Sequence, residues 1–576
     1  MLKQKIRRKE SAKALDHYLE SHLHPILKRI YYARAIQSPE DLGRDLEQLC
    51  PFQLLLNIDK AAARLARALK EQEAILIIGD FDADGATSTA LAVSALKAMG
   101  AQKVDYLVPN RFTYGYGLTP EIVEAAAPRK PQLIITVDNG IASLAGVQRA
   151  KALGIDVLIT DHHLPGSELP EAIIVNPNQP HDTFPSKAMA GVGVIFYVML
   201  ALRHELSQQD WFNLQNIPVP NMAQFLDLVA LGTVADVVPL DKNNRILVHQ
   251  GLGRIRKERA RPGIKALLEV ARRDALRLNA SDLAFAVAPR LNAAGRLDDM
   301  SLGINCLLAE DPMSAYRMAL ELDQLNNERR DIEAEMQKKA FVIVEKLHLA
   351  AEIPAALCLY DKAWHQGVVG LVASRVKDKV NRPVIAFAKG DAGLLKASAR
   401  SISGIHIRDS LERIAIRHPA LLSKFGGHAM AAGLTLKESD FKEFSRIFEA
   451  DIAEQLSPEH LAARIDSDGE LEALHLTLEL AELLREAGPW GSGFPEPQFD
   501  GVFEIVEQRI VGQNHLKLLV KLKEADRYLD AIAFNVNLND WPNHRATMAH
   551  LVYKLDVNEY QGRKRLQLMV EELEAV

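Results

Sequence analysis

Asp80, Asp82 and Asp84 alternate in the segment Gly79-Asp80-Phe81-Asp82-Ala83-Asp84-Gly85. Carboxylates this close stay ionised together only where a cation offsets their repulsion. Hard divalent ions such as Mg²⁺ or Mn²⁺ take oxygen ligands of this kind. An acidic turn capping a helix is the simpler reading, since Asp favours turns and N-caps. A cap needs one aspartate; three in alternation favour the metal. Further donors follow in Asp138-Asn139-Gly140, in Asp161-His162-His163, and in Asp236 at the end of Leu231-Gly232-Thr233-Val234-Ala235-Asp236. Singly, Asp138 could cap the next helix, His162 could be a satisfied edge histidine, and Asp236 could cap the turn before Pro239. Together they could build a two-ion site, with ions ~3.5–4 Å apart clamping the attacking and leaving oxygens of a phosphoryl displacement.

The elements that must carry these donors follow from apolar periodicity. Ala74–Ile78, Val104–Val108, Leu133–Val137, Val157–Thr160 and Ile173–Val175 read as short strands, with helices Ala86–Met99, Pro120–Ala127 and Ala142–Leu153 between them. That alternation predicts a mostly parallel sheet covered on both faces. The donors then fall after consecutive strands at one sheet edge, the edge where open α/β sheets bind ligands. Helices near Val192–Leu206, Asn221–Leu231 and Arg261–Val270 extend this lobe. Residues 1–70 read as a helical, peripheral extension with an amphipathic segment near Ala61–Leu69.

Between Pro312 and Pro354 there is no internal Gly or Pro. A near-heptad stripe of Met318, Leu322, Leu325, Ile332, Met336 and Ile343 allows a coiled-coil partner but, being short for a stable coil, favours a long helix linking two lobes there. A second α/β unit follows, with strands Ala356–Tyr360, Val384–Phe387 and Lys396–Ser403 and helices Val368–Val376, Ile407–Arg417 and Ala429–Ala432. After about residue 465, five short alternating segments predict an OB-like β-barrel. The expected class is α/β, divided at 1–70, 71–305, 306–353, 354–464 and 465–576.

Length and composition agree with a multidomain globular chain: 576 residues, 48% apolar and 25% charged. The net charge of −6 means that any contact with a polyanion must come from local basic patches. Cys50, Cys306 and Cys358 form no CxxC pair and fit reduced thiols in a cytosol. The basic start Met1–Glu10 leads to no apolar run, and Val192–Leu202 is too short to span a bilayer. The expected location is cytoplasmic, with no membrane.

The motifs Gly79–Gly85, Val137–Gly140, Asp161–His163 and Leu231–Leu240, in this order and at these intervals, resemble the DHH phosphoesterase superfamily. Pro289–Asp299, Trp364–Gly370 and Phe425–His428 extend the resemblance over nearly the whole chain, toward the superfamily's single-strand-specific exonucleases that work from 5′ ends. The resemblance implies a parallel-sheet DHH lobe, a DHHA1 lobe and an OB-like barrel. It implies that Asp82, Asp84, Asp138, His162 and Asp236 ligate two Mg²⁺ or Mn²⁺ ions, with Asp80, Asp161 and His163 completing the catalytic set. Asp161 would orient the imidazole of a ligating histidine, and His163 would contact the scissile phosphate or assist proton transfer. Many superfamily members place a ligating His four residues before the D-x-D pair; here that position is Ile78, and Asp80 is the expected compensation.

For DNA, Gly426-Gly427-His428 reads as a glycine loop whose backbone N–H groups, at the start of an Ala-rich helix, meet a phosphate; a close-packed turn is the alternative. Arg111, Arg290, Arg296 and Arg400, with Ser398, are candidates for clamping the backbone and a 5′-phosphate. Tyr114, Tyr116 and Trp364 could stack bases, although core burial competes for Trp364. Lys517, Lys521, Lys554, Arg563, Lys564 and Arg565 offer a basic barrel surface. The expected function is hydrolysis of single-stranded DNA from the 5′ end in recombination and repair. Expected partners are single-stranded DNA, a single-strand-binding protein and a helicase. Two rivals differ in kind: a phosphodiesterase for short oligonucleotides or cyclic dinucleotides, which would lack the barrel, and an inactive DNA-binding scaffold, which would have lost ligands.

Overall fold

The computed structural model describes residues 5–9, 23–109, 114, 117–350, 353–422, 424–461, 464–522, 527–560 and 562–576. They fall into two compact units, one drawn from residues 8–323 and 466–576, the other from residues 324–465 and 5–7.

In the larger unit, α1 (Ile58–Lys70) leads to β1 (Ile75–Gly79), α2 (Ala83–Ala98), β2 (Val104–Leu107), α3 (Pro120–Ala126), β3 (Leu133–Val137), α4 (Leu144–Ala152), β4 (Asp156–Thr160) and β5 (Ile173–Val175). The sheet is parallel throughout, in the order β2-β1-β3-β4-β5. Every residue of β1 and β3 is buried, as unbroken apolar runs require of strands covered on both faces. Strand order reverses between β1 and β3, which makes their C-terminal ends the topological switch point where a crevice opens. Two largely buried helices, α5 (Gly191–Gln208) and α6 (Leu226–Ala235), pack on α2. Beyond them come α7 (Lys242–Arg256) and α8 (Ala288–Leu297).

The amphipathic stretch near Ala61–Leu69 is not peripheral. Ile58, Ala61, Leu65, Ala68 and Leu69 of α1 are buried, and α1 packs on α5. The amphipathic stripe near Ala61–Leu69 therefore closes the lobe's core.

The boundary between the units falls within α9 (Pro312–Ala350). Among its described side chains the buried ones are Ala315, Ala319, Leu322, Asn326, Glu333, Met336, Ala340 and Val344, not the full stripe of large apolar residues expected. Small residues permit close approach, and the buried Glu333 is satisfied by Arg329 and by Arg375 at 3.1 Å.

The second unit continues with β6 (Leu357–Tyr360), α10 (Val369–Val380), β7 (Val384–Lys389), β8 (Leu394–Arg400), α11 (Ile407–Arg417), β9 (Lys424–Gly427), β10 (Ala431–Lys437) and α12 (Phe441–Gln455). Its sheet order is β9-β10-β8-β7-β6. The helix expected at Ala429–Ala432 is instead the turn and first residues of a β-hairpin, with Gly427 opposite Ala432 and Ala431 opposite Arg400. Ala432, Leu434 and Leu436 alternate inward. That period-2 burial outweighs the helix preference of a few alanines, too few to nucleate a helix.

Returning to the larger unit, α13 (Leu478–Ala487) precedes a closed barrel of β11 (Phe499–Val511), β12 (His515–Lys521), β13 (Tyr528–Ala533), β14 (Met548–Tyr560) and β15 (Arg563–Ala575), in the order β11-β12-β13-β15-β14. Leu516, Leu518 and Val520 face inward opposite Ala533, Ala531 and Leu529. The helix Pro25–Tyr32 and the residues after it tie this segment to the lobe. The Tyr31 hydroxyl donates to Ala487 O at 3.0 Å, and Arg34 forms a buried bidentate pair with Asp468 at 2.8 and 3.0 Å.

Candidate metal centre and nucleic-acid contacts

The chain leaves β1 through Asp80 and enters α2 at Ala83. Asp82 caps that helix, its Oδ1 accepting the N–H groups of Asp84 (2.9 Å) and Gly85 (3.0 Å). The capping role is therefore real, but it uses one oxygen of one aspartate. Asp84 is buried, and its carboxylate accepts the N–H groups of Gly191 (2.6 Å) and Val192 (3.0 Å) at the start of α5. Asp138 follows β3 with φ of 63°, a left-handed conformation that Asp tolerates better than most residues. Asn139 next to it donates to Ile78 O (3.1 Å) and Val137 O (2.9 Å), joining the ends of β1 and β3.

After β4, buried Asp161 accepts from the backbones of Ile141 (2.9 Å), His162 (2.7 Å) and His163 (3.1 Å). Its Oδ1 also lies 2.7 Å from His163 Nδ1. The imidazole that Asp161 holds is thus that of His163. Asn178 and Asn176 donate to the carbonyls of His162 (2.7 Å) and His163 (2.9 Å). Asp236 comes from the C-terminus of α6, so the fifth donor reaches the site from a helix rather than from a strand of the sheet.

These elements bring the donors together in overlapping groups whose ligand atoms lie within 4.8 Å of one another: Asp80 with Asp82 and Asp138, Asp84 with His162 and Asp236, and Asp138 with His162 and His163. His162 Nε2 is 3.1 Å from Asp138 Oδ1 and 3.5 Å from Asp236 Oδ2. Asp138 and His162 are each shared between two groups. Burial, and then the neighbouring carboxylates, push Asp138 and Asp236 well above the usual carboxylate range and Asp84 up to about 7. Such a cluster either takes up protons or holds cations. Carboxylate oxygens with one imidazole suit Mg²⁺ or Mn²⁺, so the donor set fits the implied metal. Burial opposes charge on His163, yet the bond to Asp161 and the nearby carboxylates outweigh it and raise its pKa to about 9.

Ile78 is buried in β1 within the apolar core and contributes no donor. Asp80 instead stands with Asp82 and Asp138.

Sequence reasoning missed Asn292. Its Oδ1, on α8, accepts the N–H of Ala83 at 2.9 Å, fixing the turn that presents Asp82 and Asp84. One helical turn on, a Cβ at Gly295 would lie 1.8 Å from Phe81 O, so only glycine allows α8 to approach that turn. Both residues lie in the motif segment Pro289–Asp299, whose run Asn-Ala-Ala-Gly was the available signal.

The nucleic-acid candidates divide. Arg111 and Tyr116 lie outside the described residues; Tyr114 is half-buried. Arg290 is ion-paired with Asp323 at 2.7 Å, which makes it a strut for α9, and Arg296 is half-buried on α8. Trp364 is 4% exposed, so core burial displaces the stacking expectation. On β8, Arg400 donates to Ser398 Oγ at 2.8 Å. A Cβ at Gly370, near the start of α10, would lie 2.9 Å from both groups. Arg400 makes no ion pair among the described residues, and burial lowers its pKa. Gly426 and His428 are exposed on the β9–β10 hairpin, so no helix N-terminus gathers their N–H groups. On the barrel, Lys517 pairs with Asp530, Lys521 with Glu504, Lys554 with Glu496 and Glu571, and Lys564 with Glu482. The expected basic surface is therefore largely neutralised, while Arg563 and Arg565 stay exposed.

Known proteins share this plan. The family model "DHH family, N-terminal domain" matches residues 74–233, the DHHA1 domain 342–454 and the RecJ OB domain 467–572. The single-stranded-DNA-specific exonuclease RecJ of Escherichia coli is 52% identical over 99% of this chain and 98% of its own. The chain belongs to the RecJ family. The crystal structure of RecJ in complex with Mn²⁺ from Thermus thermophilus superposes with a TM-score of 0.82 at 30% identity, covering 99% of this chain and 80% of that one. The Mg²⁺ complex from the same organism gives 0.77 at 28%, covering 99% and 78%. RecJ-family membership thus embraces both compact units, barrel included.

Proposed function

We propose that the chain hydrolyses phosphodiester bonds of single-stranded DNA in a metal-dependent reaction, removing nucleotides from the 5′ end. The observation that carries this reading is the set of adjoining donor groups, sharing Asp138 and His162, at the sheet's switch point. The name of the 52% identical relative supports the substrate. Asp80, Asp82, Asp84, Asp138, His162 and Asp236 would hold two Mg²⁺ or Mn²⁺ ions. Bound there, the ions supply a water of lowered pKa and offset charge on the phosphoryl oxygens.

The chain's own residues do the rest. Asp161 fixes the His163 ring and, through that bond, favours its cationic form, suited to donate toward a phosphate oxygen. Asn139 and Asn292 hold the two carboxylate turns in register. Arg400, desolvated and without a carboxylate partner among the described residues, with Ser398 and the start of α10, suits a terminal phosphate; we assign the 5′ preference to this group. Exposed Arg563 and Arg565 would hold the strand on the barrel. A role in recombination and repair is supported by family membership; a cytoplasmic location, a single-strand-binding protein and a helicase belong to the same reading.

The test is digestion of single- and double-stranded DNA labelled at either end, with Mg²⁺ or Mn²⁺ and with a chelator control. Early release of mononucleotide from the 5′ label of single strands, abolished by chelator, is the expected result. Turnover of dinucleotides without cleavage of long strands would move the chain to the short-substrate phosphodiesterases.

A further inference from the structure

Outside the carboxylate cluster, within the larger unit, α7, residues 279–281 and the segment from the end of α13 to Glu496 form a partly open cavity whose lining includes His249, Arg256, Ser281, Arg485, Glu486 and Glu496. Two guanidinium groups line this one space. Arg256 donates through Nε to Leu278 O at 2.8 Å, and neither Arg256 nor Arg485 makes an ion pair among the described residues. Arg44, close by, donates to the carbonyls of Glu486, Ala487 and Gly488, each at 3.0 Å, which caps α13 but leaves its charge in place.

Two carboxylates, Glu486 and Glu496, share the lining, and neither stands at ion-pair distance from Arg256 or Arg485 among the described residues. Glu496 is engaged by Lys554 at 3.1 Å and Asp282 by Arg273 at 3.4 Å. Glu486 lines the cavity and attracts Arg256 only from beyond ion-pair distance. Burial first, and then repulsion from Arg485, lowers the pKa of Arg256. Burial, Arg44 and Arg256 push His249 down to about 4, so its ring is neutral and adds no charge at physiological pH. Like charges held in a partly desolvated pocket are unfavourable until an anion joins them. Guanidinium forks, with the Ser281 hydroxyl beside them, match the oxygens of a phosphate.

We propose that this cavity binds a phosphate group carried by a nucleotide, at a site separate from Ser398 and Arg400. Two sources share that chemistry: a released mononucleotide, and the backbone of a longer single strand.

Calorimetric titration of the full-length protein with inorganic phosphate, in chelator, tests it without metal or hydrolysis. Failure here is thus separable from failure of the nuclease reading. R400Q sets aside the other phosphate candidate and should still bind phosphate. R400Q/R485Q and R400Q/R256Q should bind it at least 10-fold more weakly with unchanged melting temperatures; using both covers the chance that removing the hydrogen bond to Leu278 disturbs folding. Absence of phosphate binding in R400Q, or equal isotherms for R400Q and both double variants, would overturn the proposal. Competition by deoxyadenosine monophosphate assigns the site to released nucleotide, and competition by a 5′-hydroxyl oligothymidylate assigns it to the strand; either outcome supports the cavity.

Discussion

Asn292 and Ala83 are 209 residues apart in sequence and joined by one hydrogen bond, Asn292 Oδ1 accepting the Ala83 N–H at 2.9 Å. N292A strands that N–H, a loss of about 1–3 kcal/mol, and frees the turn carrying Asp82 and Asp84. Mn²⁺ affinity measured by calorimetry should fall by roughly 10–100-fold, the usual effect of removing a group that orients ligands. N292D, which keeps the acceptor, should recover part of it. Unchanged affinity with lowered melting temperature would confine Asn292 to stability.

Asp138 stands in two donor groups. D138N should lower hydrolysis by at least about 100-fold. It should also raise the melting temperature of the metal-free protein, because a neutral amide replaces a buried group repelled by its neighbours. Near-normal turnover would remove Asp138 from the metal centre.

The metal-free protein should lose stability as pH rises. Asp84 titrates at about 7 in the folded chain against about 4 when unfolded, so between those values the native state binds more protons and stability falls with rising pH. His163, raised to about 9 from about 6.5, extends the same sign from about pH 6.5 to 9. Asp161, held below the usual range, acts only at lower pH. Melting in chelator should therefore be higher at pH 5.5 than at pH 8.5. Mn²⁺ should narrow the gap, most strongly at high pH.

D161N removes the carboxylate that holds His163 at 2.7 Å. The His163 pKa should drop, moving the alkaline limb of the pH–rate profile downward, with kcat reduced by roughly 10–100-fold. A profile unshifted in pH would separate His163 from the rate-determining proton.

Deleting the barrel is a poor test of strand binding, because Arg34 and Asp468 are 1% and 2% exposed in their ion pair and a cut after residue 465 would strand Arg34. The reversal R563E/R565E is cleaner. Single-strand affinity should weaken, and the slope of log affinity against log salt should shrink by roughly 1–2, about 0.7 for each phosphate no longer neutralised. An unchanged slope would make this face of the barrel structural.

Much of this protein is determined by local pattern. The apolar runs ending in Asp80, Asp138 and Asp161 specify strands and place carboxylates at their C-terminal ends, because a buried parallel strand needs continuous apolar residues and the chain can turn polar only where it emerges. The alternation from Leu516 to Val520 and from Leu529 to Ala533 specifies the barrel in the same way. Tertiary structure decided which groups meet. Asp236 arrives on a helix, Asn292 from 209 residues away, and Asp161 pairs with His163 rather than His162, because hydrogen-bond geometry depends on packing angles that no periodicity encodes. It also decided which charges remain available. Arg290, Lys517 and Lys554 look like DNA ligands in sequence, yet each sits beside a carboxylate brought in by another element. A side chain's charge is written in the sequence; whether a neighbour neutralises it is a matter of distance, and distance exists only in the fold.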